Sequence, residues 1–394
     1  MKKMGLLPKL ILAIIIGVLI GKTGMELPVR LLATFSGIFG NFLGFVIPLL
    51  IIGFVAPGIG DLGKGAGKLL GITAGIAYLS TVFAGTLAFV VNSAVLPKLI
   101  TEGALDLSEG GGRTASALFT IDMPPVMGVM TALLIAFTIG LGMASIEGNA
   151  LKNVMNEFLA IIEKVVKGIV IPLLPFHIAG IFAGMAYSGE AEMVMSTFFK
   201  VFIVILLLHF TMLTLQYFIA GALTGTSPIR LIKNMVPAYL TAIGTQSSAA
   251  TIPVTLNQTL KNGVKPGIAE FSVPLCATIH LSGSTITLTS CAMAVMLLTG
   301  MGYTFAGMFG FIMMLGVTMV AAPGVPGGAV VAALGLLASM LGFNEAMLGL
   351  MMALYMAQDS LGTACNVTGD GAIAILVNKV SGNKLEVKEE AGII

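Results

Sequence analysis

Apolar residues run through the chain in long blocks, and a block that can cross ~30 Å of hydrocarbon, about 20 helical residues, predicts a membrane span. Such blocks cover residues 8–20, a short first span extended by its flanks, then 31–55, 69–96, 126–144, 158–186, 194–222, 268–298 and 347–377. Two further apolar stretches follow Arg230 and are interrupted at their middles, one by GTQSSAATIP at 244–253 and one by AAPGVPGG at 321–328. Each predicts a hairpin of two half-helices that enters and leaves on one side. Broken backbone at membrane depth is tolerated only where it is buried in protein or lines a cavity. The order hairpin then span occurs twice, with opposite orientation, as in an inverted repeat. Paired interrupted segments of this kind point to a transporter's binding site. The expected fold class is an all-α membrane protein with eight transmembrane helices and two re-entrant hairpins. Three regions are expected: 1–222 with six helices, a transport core at 223–380 and a cytoplasmic tail at 381–394.

Composition supports the same class. Hydrophobic residues make up 57% of the chain and charged residues 10%, with a mean hydropathy of +1.03, whereas a soluble domain carries about 25% charged residues. Lys2 and Lys3 precede the first apolar block as in a signal peptide, but GKTGMELP after it offers no small-residue cleavage site, so a retained helix is expected. With the N-terminus inside, the inner loops collect Lys2, Lys3, Lys9, Lys64, Lys68, Lys152, Arg230, Lys233, Lys261, Lys265, Lys379, Lys384 and Lys388. The outer loops hold Lys22, Arg30, Lys98 and Arg113. That asymmetry places both termini in the cytoplasm of a multi-pass protein of the plasma or inner membrane. The long outer connection, 97–125, is polar and reads as surface. No basic patch with interleaved aromatics suggests nucleic acid as a partner.

The candidate chemistry lies in the last block. Asp359, Gly362, Thr363, Asn366 and Asp370 fall at i, +3, +4, +7 and +11, and at ~100° per residue they share one helix face. Carboxylates inside a membrane are costly and mark a substrate or ion pathway. An intramembrane aspartyl protease also uses two membrane aspartates, but its pair must share a proton at close range. Asp359 and Asp370 are ~16 Å apart along a helix axis, so they do not form such a dyad, and no enzyme is expected. Cys276, Cys291 and Cys365 lack metal-ligand spacing, and the 25 methionines read as adaptable packing.

The residues QSSAATIP at 246–253, GVPG at 324–327 and NVTGD at 366–370 resemble the dicarboxylate/amino acid:cation symporter family, which includes glutamate, aspartate and serine/threonine transporters. By hydropathy the resemblance covers nearly the whole chain. It implies a homotrimer in the lipid bilayer, with the two hairpins and the last two helices moving as an elevator against a scaffold. It also implies a small amino-acid substrate, held through its amino group by Asp359 and through its carboxylate by Asn366, Ser247 and Ser248. Gln246, Val325, Gly327, Gly362 and Thr363 would line the same site. Na+ would be the coupling ion, held by Asp370, Asn366 and the backbone carbonyl of Cys276.

Three departures change what the resemblance implies. Acidic-substrate carriers of the family have an arginine on the eighth helix, where this chain has Gly362, and often another on the first hairpin, where it has Gln246. No arginine follows Arg230, so the fork that suits a second carboxylate is absent. A small neutral amino acid (serine, threonine or alanine-like) is therefore expected, with an acidic amino acid or dicarboxylate as the alternative. Gln358-Asp359-Ser360 also resembles the serine/threonine branch. The family's seventh-helix motif appears as His280, Leu281, Ser282, Gly283 and Ser284. Ser282 replaces the aspartate of a second sodium site, and the hydroxyls of Ser80 and Thr81 do not restore its charge. His280 replaces an asparagine near the first sodium, which leaves H+ open as the coupling ion. Single His177 and His209, with no carboxylate or cysteine at metal spacing, are expected to be packed in their helices.

Overall fold

The computed structural model describes residues 6–62, 67–105, 115–320, 322 and 326–381. Among these every regular element is helical. The first group comprises α1 (Leu6–Lys22), α2 (Glu26–Leu62), α3 (Gly67–Leu99), α4 (Val129–Ser145), α5 (Ala150–Val165), α6 (Ile171–Ser188) and α7 (Ala191–Thr224). A π-helical turn, Val166–Val170, joins α5 to α6, so the expected span at 158–186 is one continuous element that begins earlier than expected. Six helical runs are long and apolar enough to cross a membrane, among the described residues: 26–58, 69–99, 150–188, 191–224, 266–298 and 359–381. The chain is a multi-pass membrane protein.

Small residues set the closest crossings, as expected where lipid supplies no hydrophobic drive between helices. A methyl group on Gly17 or Gly21 of α1 would fall 2.4 Å from the carbonyl oxygen of Ala179 or Ala183 of α6. These two glycines let the backbones touch.

After α7 the helices shorten. α8 (Pro228–Thr245) and α9 (Ser248–Lys261) form a hairpin, followed by α10 (Pro266–Ile279) and α11 (Ser282–Leu298). α12 (Phe305–Met319) and α13 (Gly328–Leu341) come next, followed by α14 (Glu345–Met356) and α15 (Asp359–Ser381). The sequence of short helix, short helix, broken span thus occurs twice. Both late spans differ from expectation. The block 268–298 breaks at His280 and Leu281, and the block 347–377 breaks at Ala357 and Gln358. Neither was expected to break. α11 is buried along its whole length and α15 along most of it, so the polar residues of these two helices face protein.

Several expected features lie outside the described residues: Val325, Gly324 and Pro323 of the second hairpin, Lys2, Lys3, Lys64, Lys384 and Lys388, Arg113 and Gly110 to Gly112 of the long connection, and all of the tail but Ser381.

Candidate functional site

The broken helices exist because their ends are capped by side chains from other helices. α11 starts at Ser282 with amides that have no partner within their own helix. Asn366 of α15 supplies one: its Oδ1 accepts from the Gly283 amide at 2.7 Å and from the Ser284 amide at 3.2 Å. Its Nδ2 donates to Ser284 Oγ at 2.9 Å, and the Tyr355 hydroxyl donates to the same oxygen at 3.0 Å. Asp359 does for α13 what Asn366 does for α11. Its Oδ2 accepts from the amide of Gly327, the residue that precedes α13, at 2.7 Å. Asp359 is also the first residue of α15, so its buried carboxylate lies at the positive ends of two helices. The Tyr355 hydroxyl neighbours it too, with a single proton to give either to this carboxylate or to Ser284.

All five stripe residues lie in α15 and all are buried. The helix break falls just before the stripe and leaves its periodicity intact. Gly362 faces α11: a methyl there would lie 3.5 Å from Thr287 Oγ1. His209 of α7 bonds to the same Thr287 hydroxyl at 3.1 Å and to the Gly283 carbonyl at 3.0 Å. His177 is buried against Ser36, with Nδ1 2.7 Å from its hydroxyl.

The first hairpin's tip is made by Gln246, the one non-glycine residue with positive φ (53°) among the described residues. Its amide closes α8 on the Ala242 carbonyl at 2.9 Å. Ser247 caps α9, its hydroxyl accepting from the Ala250 amide at 3.3 Å. Left-handed backbone at a residue with a Cβ is strained, and such strain clusters at ligand clamps. Gln246 and Ser247 are half-exposed and Ser248 is buried.

A second buried chain of hydrogen bonds starts at Gln216 of α7. Its Nε2 donates to Ser80 Oγ of α3 at 3.0 Å, Ser80 lies 3.0 Å from His280 Nε2, and His280 Nδ1 lies 2.9 Å from Asp370 Oδ1. With the Nδ1 proton directed at the carboxylate, Nε2 accepts from Ser80. Gly369 makes room for it, because a methyl there would fall 2.8 Å from the His280 ring and 2.9 Å from Gln216 Oε1.

Asp370 and the Cys276 carbonyl offer the hard oxygens that a sodium ion takes, and the Cys276 carbonyl also closes α10 on the His280 amide at 2.9 Å. The Asn366 oxygen is committed to the start of α11. At the second position, Ser282 Oγ and Thr81 Oγ1 are buried, neutral hydroxyls without a protein partner, and they do not fit a cation site that needs a carboxylate.

Sequence reasoning did not single out Tyr355, Thr287 or Gln216, and it named Ser284 only as the last residue of the seventh-helix motif, with no partner. Tyr355 is an ordinary residue of an apolar block until the fold brings it to Ser284. Gln216 did carry a signal, as a lone amide inside the apolar run 194–222.

Helix starts turned inward, buried carboxylates and broken spans inside a bundle of membrane-length helices make a carrier's interior, and the chain is a membrane transporter, not an enzyme. Residues 6–380 match the sodium:dicarboxylate symporter family, and the chain belongs to it. Among proteins it is similar to, the serine/threonine transporter SstT of Bifidobacterium adolescentis is 30% identical over 307 residues, 72% of this chain and 69% of that one. The protein of the same name from Streptococcus suis is 29% identical over 83% of this chain and 93% of its own length. That of Streptococcus thermophilus is 25% identical over 94% and 96%.

Proposed function

We propose that the chain is a secondary active symporter that imports a small neutral amino acid of the serine, threonine or alanine kind together with a cation, sodium. The observation that carries this reading is a buried carboxylate with no cationic side chain beside it among the described residues: Asp359 lies among helix starts, and Gly362 stands where the family resemblance puts the arginine that grips a second substrate carboxylate. The names of the relatives, serine/threonine transporters, support the same substrate. The substrate ammonium pairs with Asp359, and its carboxylate takes amides and hydroxyls at helix N-termini, Ser247, Ser248 and Asn366 among them. Val325, Gly327, Gln246 and Thr363 complete the lining. Asp370 and the Cys276 carbonyl hold the sodium ion, whose charge offsets the buried carboxylate, and Asn366, its side-chain oxygen taken by the start of α11, backs them from the neighbouring turn.

The repeated order of two short helices and a broken span supports a transport core at 223–380 that moves as an elevator against the earlier helices. We infer a homotrimer in the plasma or inner membrane, with both termini cytoplasmic.

Purified protein in proteoliposomes is expected to accumulate labelled serine under an inward sodium gradient, and alanine and threonine to compete. Competition by aspartate alone would overturn the neutral-substrate reading.

One observation favours a second reading for the ion. His280 Nδ1 lies 2.9 Å from Asp370 Oδ1, so a proton held between the two would take the place sodium takes at the carboxylate, and a proton gradient then drives uptake. In this reading His280→Asn removes the pH dependence of serine uptake and leaves uptake driven by sodium. Identical pH profiles for His280→Asn and the parent protein would dismiss the proton.

A further inference from the structure

α3 and α11 lie side by side and run in the same direction. Ser80 meets His280 at 3.0 Å, a methyl on Gly85 would touch Thr285 Cγ2 at 3.0 Å, and Asn92 Nδ2 donates to Ser290 Oγ at 2.7 Å. Along this seam five buried oxygens have no partner within the protein: Thr81 Oγ1, Ser282 Oγ, Thr285 Oγ1, Thr289 Oγ1 and Asn92 Oδ1. Ser282, Thr285 and Thr289 follow i, i+3, i+7, one face of α11. Thr81 and Asn92 are three turns apart, one face of α3. The row spans ~16 Å.

These hydroxyls depart from the habit of their own helices. Thr73, Thr86, Ser93 and Thr287 each donate to the carbonyl four residues back. A polar atom buried without a partner is destabilising, so five in one row do not belong to a dry contact. Every one of them is neutral, and among the described residues the ionisable groups at the row are His280 and Asp370 at its start, with the un-ionised Cys365 thiol beside Ser282. Neutral oxygens that need both donors and acceptors suit water better than an ion. Beyond Asn92 and Ser290 the seam turns apolar with Met293, Met296 and Leu96, all buried. Past them opens a cleft of about 440 Å³, lined by Lys98, Thr101, Glu102, Lys200 and Leu297.

We propose that the α3–α11 seam is a hydrated file. Ordered water pairs the five oxygens and runs from the Ser80–His280–Asp370 chain to the apolar plug that begins at Met293. The file brings water to Asp370 from within the bundle, whatever substrate the carrier takes. A cation that loses its hydration shell at Asp370 gives those waters to it.

Hydroxyl-radical footprinting of the purified full-length protein with short X-ray pulses tests this, because it oxidises side chains next to ordered water even where bulk solvent is excluded. Met293, one turn beyond Thr289, is expected to oxidise several-fold faster than Met185 and Met308, which are buried among apolar side chains. The double variant Thr285→Val/Thr289→Val lowers Met293 to the rate of those two, while Thr285→Ser/Thr289→Ser keeps it high. Equal rates for Met293, Met185 and Met308 in the parent protein would overturn the file, and so would a Val variant whose Met293 rate is unchanged. Neither result bears on serine uptake, so the substrate reading stands or falls separately.

Discussion

Asp359→Asn is expected to weaken serine binding by about 10- to 150-fold and to abolish accumulation at substrate concentrations that saturate the parent protein. The range follows from the loss of a charge-assisted hydrogen bond, about 1.5–3 kcal/mol, with 1.4 kcal/mol equal to a factor of ten. Asparagine keeps the size of the side chain and can still offer its oxygen to the Gly327 amide, which Asp359 Oδ2 meets at 2.7 Å. The cap on α13 therefore survives in the variant. What disappears is the negative charge at the start of α15, which in the proposed site pairs with the substrate ammonium. The effect should be specific to ligands that carry an amino group, with Tyr355 and Asn366 still holding α11 in place. Equilibrium binding of labelled serine to purified protein measures it, and an unchanged melting temperature shows that the variant is folded. Serine affinity equal to that of the parent protein would remove Asp359 from the substrate site.

The stripe to which Asp359 belongs was legible in the sequence, and the break just before it was not. Five polar positions at helical spacing inside an apolar block need only local geometry, and α15 carries all five. Ala357 and Gln358, where the helix breaks, are good helix formers with no glycine or proline to mark a boundary. The break follows from a long-range demand, because the Asp359 carboxylate is held by the amide of Gly327, thirty-two residues earlier. His280 and Leu281 tell the same story. The start of α11 is fixed by Asn366, eighty-three residues away from Gly283, and nothing local in HLSG announces it. The interruption between α8 and α9 was readable because polar residues mark it in the chain. There the reversal falls on Gln246 and Ser247, within the expected interruption, while Pro253 lies inside α9. The partnership of His280 with Asp370 joins two helices ninety residues apart. Only the residue types hinted at it.

Gly283→Ala is expected to damage the folded state at the site itself. An added Cβ would lie 2.4 Å from the Gly362 carbonyl oxygen, 2.6 Å from Cys365 Cβ and 3.2 Å from Asn366 Oδ1. The nearest of these is backbone, so no side chain can turn away to relieve the clash, and α11 and α15 must separate. Overpacking of this kind costs about 1–3 kcal/mol. Separation also stretches the two bonds from Asn366 to the Gly283 and Ser284 amides, and each net hydrogen bond is worth about 0.5–1.5 kcal/mol. The start of α11 then loses its cap, and with it the placement of Ser284 against Tyr355. Gly75→Ala is the matched control, since that glycine lies in α3 with no atom within 4 Å of its added methyl, and alanine favours a helix interior by up to about 1 kcal/mol over glycine. Thermal unfolding in detergent should therefore show a clear loss for Gly283→Ala and none for Gly75→Ala. Serine uptake should fall with the first variant and persist with the second. Equal melting temperatures for the two variants would mean that α11 and α15 do not meet at Gly283, and the capping role given to Asn366 would go with that contact.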